Sequence, residues 1–169
     1  MSELLFEIFC EEIPARMQAR AEADLARLVG ERLKSAGLGW ETLTTFAGPR
    51  RLGLALTGLP VKTEDVREER KGPRTDAPEQ AVAGFLRGAG LTSLDGCEKR
   101  DDKKGQFWVA IIEKPGRATV DVVAEALPAV MKEFPWPKSM KFGEGEKLQR
   151  WVRPVHRLLC LFDSAVVPF

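Results

Sequence analysis

Residues 4–17, LLFEIFCEEIPARM, decide how the rest of the chain is read. Leu4–Cys10 is an apolar run of strand length, and it reads as a strand buried on both faces. Pro14 suits the first turn of a helix, where its missing N–H is not needed, and Glu11 and Glu12 just before it favour the positive helix end. Met17, Ala21, Leu25, Leu28, Val29 and Leu33 then recur at steps of three and four, with Arg20, Glu22, Arg27, Glu31 and Lys34 around the rest of the wheel. An amphipathic helix ending near Gly37 is predicted. Two strand-like runs follow around Gly48-Pro49, which reads as a hairpin. Strand, helix and hairpin make residues 1–61 an N-terminal module of an α+β (mixed α/β) fold.

Residues 62–76, KTEDVREERKGPRTD, hold five cations and five anions with Val66 as the one large apolar residue. The segment reads as a charged connector, with an exposed edge strand as the alternative. Residues 77–169 form a second α/β module. Pro78 opens a short helix with Ala81, Val82, Phe85, Leu86 and Ala89 on one face, ended by Gly88 and Gly90. CEKRDDKKGQFWVAIIEKPG reads as a hairpin turning at Asp101–Gly105, with Phe107–Ile112 apolar on both faces. Thr119 is placed as the cap of a third helix through Val120, Val123, Leu127 and Val130, which Pro128 is expected to bend or divide. HRLLCLFDSAVVPF reads as two strands around Asp163-Ser164, and the apolar ending is expected to be a truncation.

The chain has 169 residues and 44% apolar content, enough for one ordinary core or two small ones. Its 26 cations and 25 anions leave +1, so a nucleic-acid partner must be met by a local patch rather than by the whole chain. Cys10, Cys97 and Cys160 are odd in number, widely spaced and without a CxxC pair, which points to a reducing, cytoplasmic setting. No membrane-length apolar run and no signal peptide is visible.

His156 is the sole imidazole, four residues before Cys160, so a Cys-His dyad and a plain core cysteine with a hydrogen-bonded histidine both fit. No ligand set for a metal and no phosphate loop can be assembled, since GEGEK at 143–147 carries two carboxylates and reads as a turn. From Lys138 to Arg157 six cations (Lys138, Lys141, Lys147, Arg150, Arg153, Arg157) face Glu144 and Glu146, interleaved with Phe142 and Trp151. That composition suits phosphates and stacked bases, or a solvated rim whose aromatics plug the core. Pro49-Arg50-Arg51 is a second, smaller cationic site.

The strings LLFEIFCEEIPARM, TFAGPRRLGLAL, REERKGPR with AVAGFLR, KGQFWVAIIEKPGR, FPWPKSMKFG and RWVRPVHRLLCLF resemble, in that order, the N-terminal part of the β subunit of bacterial heterotetrameric glycyl-tRNA synthetase. Phe9-Cys10 stands where the family often has Gly-Thr, and the family's β subunit is several times longer, with a later helical region and an anticodon-binding domain. The resemblance implies an α2β2 ligase that joins glycine to tRNA(Gly) with ATP and Mg. In it the α subunit holds the adenylate site and β supplies tRNA binding. This chain is then expected to carry no catalytic, cofactor or metal residue of its own. Arg50, Arg51, Lys138, Lys141, Arg150 and Arg153 become the candidates for contact with tRNA or a partner. Trp151, Val152, Leu158 and Leu159 are expected to pack. A stand-alone RNA-binding or assembly module and an aminoacyl-ester hydrolase using Cys160 and His156 are the competing readings. Glycine leaves little need for the latter, because larger amino acids are excluded sterically.

Overall fold

Leu4–Cys10 becomes the centre of a sheet because its apolar side chains can be covered only by strands and helices drawn from both ends of the chain. A computed structural model describes residues 2–102, 105–145 and 148–169. The strand β1 (Ser2–Cys10) lies antiparallel between β3 (Arg51–Leu59) and β9 (Val155–Phe162). Outside these are β2 (Thr42–Gly48) and β10 (Ala165–Val166), giving the order β10-β9-β1-β3-β2. The fold is α+β, as the alternation of patterns predicts.

Burial along β1 alternates, with Leu4, Phe6, Ile8 and Cys10 inside and Leu5, Glu7 and Phe9 half-buried. The strand is therefore covered on one face, not on both as its apolar run suggested. On the covered side lie α1 (Ala15–Ser35), whose Ala21, Leu25, Leu28, Val29 and Leu33 are buried, and α3 (Thr119–Glu133), which buries Val122, Val123, Leu127 and Val130. Each large aliphatic chain removed from water in this layer stabilises by about 1.5–3 kcal/mol. The two helices are tied at the surface by Arg32 and Glu133, 2.5 Å apart. α3 runs unbroken through Pro128. Its first residue, Thr119, does not cap it: the Thr119 hydroxyl donates instead to the Pro60 carbonyl at 2.6 Å.

The opposite, more open face shows one close approach. Gly53 of β3 sits beneath the Phe46 ring, and a Cβ there would also meet the Phe6 carbonyl oxygen at 2.8 Å. The glycine lets the ring lie flat on the sheet. At the far end of β1, Asp163 adopts a left-handed φ of 53° and locks the β9–β10 turn. Its carboxylate accepts from Glu3 N–H, and its own N–H donates to the Glu3 carbonyl, both at 2.8 Å.

The chain divides at Thr63 and again at Gly116. One compact unit is Met1–Thr63 with Arg117–Phe169, and the other is Glu64–Gly116. The expected division was 1–61, a connector 62–76 and one module 77–169; the return of Arg117–Phe169 to the first unit had no signal in the sequence. Thr63 and Arg117 fix the crossing: Thr63 N–H donates to the Arg117 carbonyl (2.9 Å), and Arg117 N–H to the Thr63 hydroxyl (2.8 Å).

The smaller unit is a sheet of β4 (Val66–Arg74), β6 (Gly105–Lys114) and β5 (Cys97–Asp102), in the order β4-β6-β5, with α2 (Glu79–Ala89). The expected connector 62–76 is thus mostly the edge strand β4. It is hydrophilic because it is exposed along most of its length, and charged side chains also blunt an edge against further pairing. Arg100 forks onto Glu69 at 2.7 and 2.8 Å, and Lys71 reaches Asp102 at 3.1 Å. The β5–β6 hairpin closes at Asp102 and Gly105; Lys103 and Lys104, within the expected turn, lie outside the described residues.

Replacing Gly53 by Ala is expected to displace the Phe46 ring and lower stability by about 1–3 kcal/mol. Urea unfolding of the chain checks this, and a midpoint equal to that of the parent would show that the ring moves aside freely.

Candidate functional site

Two cationic surfaces emerge from the larger unit, and the sequence presented them very differently. The first is a two-stranded ribbon of β7 (Met140–Phe142) and β8 (Gln149–Trp151). Its inward face is anchored by Trp151, which is 1% exposed. Trp151 packs with Phe134 and Trp136 at ring separations of 4.8 and 5.1 Å, and those two lie 4.7 Å apart. These aromatics fill core, so stacking on bases falls to no residue of the trio. The Nε1 atoms of Trp136 and Trp151 are buried without a hydrogen bond of regular geometry.

On the outward face Lys141 stands directly across from Arg150. Like charges opposite one another cost a few tenths of a kcal/mol or more, and no carboxylate among the described residues relieves them. Arg150 is steadied by Ser139, its Nε donating to Oγ at 2.6 Å, while Lys138 and Lys141 are exposed and have no ion-pair partner among the described residues. Arg153 is half-buried, and its guanidinium donates to the Val152 carbonyl at 2.9 Å. The expected four cations therefore split into two on the ribbon, Lys141 and Arg150, one just before it, Lys138, and one turned back onto the backbone, Arg153. Glu146 and Lys147 of the expected turn lie outside the described residues.

The second surface forms where β1 ends and β3 and β9 begin. Arg50, Phe9, Cys10, His156 and Arg157 line an open hollow of about 540 Å³. Glu11 lies at its margin: the His156 imidazole donates Nε2–H to a Glu11 carboxylate oxygen at 2.5 Å, and Arg50 approaches the same oxygen at 3.4 Å. The His156 hydrogen bond first, and the Arg50 guanidinium second, hold the Glu11 carboxyl below the usual carboxylate range. Glu11, just before α1, thus partners two residues brought in from elsewhere, Arg50 and His156. Arg51 pairs with Glu7 at 3.4 Å and lies over the Phe9 ring at 4.5 Å. Arg157 has no ion-pair partner among the described residues. Sequence reading placed Arg50 and Arg51 on their own; the meeting with His156 and Arg157 is made by strand register alone.

The hydrolytic dyad does not assemble. Cys160 is 2% exposed on the covered face of the sheet, and burial pushes its thiol up to about 12. A thiol so held is almost wholly protonated at neutral pH and is a poor nucleophile. His156 is exposed and engaged by Glu11. Trp151 and Val152 pack as expected, Leu159 is half-buried, and Leu158 is 41% exposed rather than packed.

Fold and surface together define an α+β chain whose exposed cations suit a polyanion. Residues 4–169 match the family model described as glycyl-tRNA synthetase beta subunit, and the chain belongs to that family. Glycine–tRNA ligase beta subunits of Paracoccus denitrificans, Rhodospirillum centenum and Phenylobacterium zucineum are similar to it at 54%, 52% and 56% identity over 99–100% of this chain. The chain spans about a quarter of the length of these relatives, 25%, 23% and 24% respectively. No helix among the described residues is long and apolar enough to cross a membrane.

Thiol titration with Ellman's reagent at pH 8 is expected to label Cys97 first, and Cys10 and Cys160 only after denaturant is added. Rapid labelling that disappears in Cys160→Ser would restore the nucleophile reading.

Proposed function

We propose that this chain is the N-terminal region of a glycine–tRNA ligase β subunit. It supports attachment of glycine to tRNA(Gly) by binding the tRNA and by assembling with an α subunit in an α2β2 enzyme of the cytoplasm. The adenylate site, with its ATP and Mg, lies in the α subunit, and this chain supplies no catalytic residue. The observation that carries the reading is the family match over residues 4–169.

The tRNA part of the reading rests on the ribbon. Lys141 opposite Arg150, with no ion pair to a carboxylate for either among the described residues, is a repulsive arrangement that a phosphate would relieve. Cations on an outward face whose inward side is locked by Trp151 are held at fixed spacing, which lowers the entropy lost on binding.

Changing Lys138, Lys141, Arg150 and Arg153 to Gln in the complete β subunit, assembled with α, is expected to weaken tRNA(Gly) binding. Every phosphate no longer neutralised takes roughly 0.7–0.9 off the slope of log affinity against log salt. Lys138, Lys141 and Arg150 should account for most of a drop of about two units or more. An unchanged slope with impaired assembly would assign the ribbon to a protein contact instead.

This chain purified without an α subunit is expected to show no glycine-dependent exchange of pyrophosphate into ATP. Robust exchange by an α-free preparation would place an adenylate site here and overturn the reading.

A further inference from the structure

We propose that the row Arg51–Phe9–Arg157, with Arg50 at its margin, is a second RNA-phosphate site, separate from the ribbon; it rests on the reading that the chain binds tRNA. Phe9 of β1 is registered against Arg51 on one side and against Arg157 on the other. Directly opposed residues of antiparallel strands project from the same face, so the three side chains form a cation–aromatic–cation line across three adjacent strands. The two arginines stand two strand spacings apart, roughly 10 Å, far enough for each to take its own phosphate.

The charges at this end of the sheet are arranged for exchange. Glu7 takes Arg51 at 3.4 Å, and Glu11 takes both Arg50 and His156, so two carboxylates of the chain itself occupy the cations when no anion is bound. Both arginines remain largely in solvent, 52% and 62% exposed, and ion pairs in such positions are weak enough for a phosphate to displace. Arg157, with no ion-pair partner among the described residues, supplies the charge that draws the anion in. The guanidinium already lying on Phe9 offers a flat cationic surface to a base or to a phosphate fork.

A polyanionic RNA strand fits this line better than an acidic protein segment. The positive groups are arginines, whose planar forks match phosphate oxygens, and they flank an aromatic floor rather than a deep pocket. The carboxylates at the margin give the site a built-in competitor. Removing one of them should strengthen binding, an effect that a purely structural role for these arginines would not produce.

The test uses the complete β subunit assembled with its α subunit, with tRNA(Gly) as the probe and affinity measured across a series of salt concentrations. Arg51→Gln with Arg157→Gln is expected to weaken binding and to reduce the log–log salt slope by about 1.4–1.8, the change for two fewer neutralised phosphates. Lysine at the same two positions should restore most of the slope. Glu11→Gln, which frees Arg50 and His156 without removing a cation, is expected to raise affinity. Should the double variant fail to fold, Glu11→Gln still decides: higher affinity supports the site, and unchanged affinity overturns it. If the double variant leaves slope and affinity unchanged while Lys141→Gln with Arg150→Gln lowers both, this site falls and the tRNA reading stands. If neither pair has any effect, both fall. Loss of assembly with α at an unchanged slope would make the row a protein contact and also sink the proposal.

Discussion

Everything in the larger unit depends on β1 being hydrogen-bonded on both sides, to a hairpin strand some 45 residues later and to a strand that arrives some 150 residues later. The core residues Leu4, Phe6 and Ile8 are enclosed only when Cys160 and Phe162 of β9 and Leu52, Leu54 and Leu56 of β3 flank them. Loop-closure entropy grows slowly with length, so a segment of this size can be inserted between β3 and α3 at modest cost, provided its exit and return are held together. The paired backbone of Thr63 and Arg117 does that. The same register that closes the core also lines up Arg51, Phe9 and Arg157. Core closure and site geometry are one constraint.

The distribution of charge differs between the two units in a way that the formal +1 conceals. In the smaller unit Lys71, Arg100 and Lys114 each lie within 3.3 Å of a carboxylate oxygen, a pattern of a solvated sheet whose outer faces neutralise themselves. In the larger unit Lys138, Lys141 and Arg157 stand without such partners among the described residues, and Lys141 faces another cation. Exposed pairs add little to stability, so the smaller unit's bridges serve chiefly to keep its thin sheet soluble. Its fully covered apolar residues among those described are Ala89, Val109 and Ala110. Exposed cations without a carboxylate partner are a different case, because nothing in the fold offsets their attraction for an anion.

Local pattern was enough for the elements whose signal is local. The 3.6-residue recurrence from Met17 to Leu33, the Gly48-Pro49 turn and the apolar run of β9 each carried their own structure, since a helix face or a hairpin turn is decided within a dozen residues. The cationic ribbon was likewise visible as a run of Lys and Arg, because its members lie within 13 residues of one another. Other features needed tertiary context. β1 looked buried on both faces because an apolar run does not say which side a helix will cover. Residues 62–76 read as a connector, with an edge strand as the alternative, because an edge strand can be almost wholly polar. The partners of Glu11, Arg50 and His156, are 39 and 145 residues away, so their meeting left no local signal.

The α+β class, the strand–helix–hairpin start, the family resemblance and the candidate cations of residues 138–153 were legible before any folding was known. Each of these depends on residue type and near-neighbour spacing. The folded chain alone established that Cys160 is sealed in the core while His156 turns outward to Glu11, that one unit is interrupted by another, and that Arg51, Phe9 and Arg157 share one face. Those outcomes follow from strand register between segments far apart in the chain. Register is set by which side chains can be buried together, a property of the assembled sheet that no single stretch of residues contains.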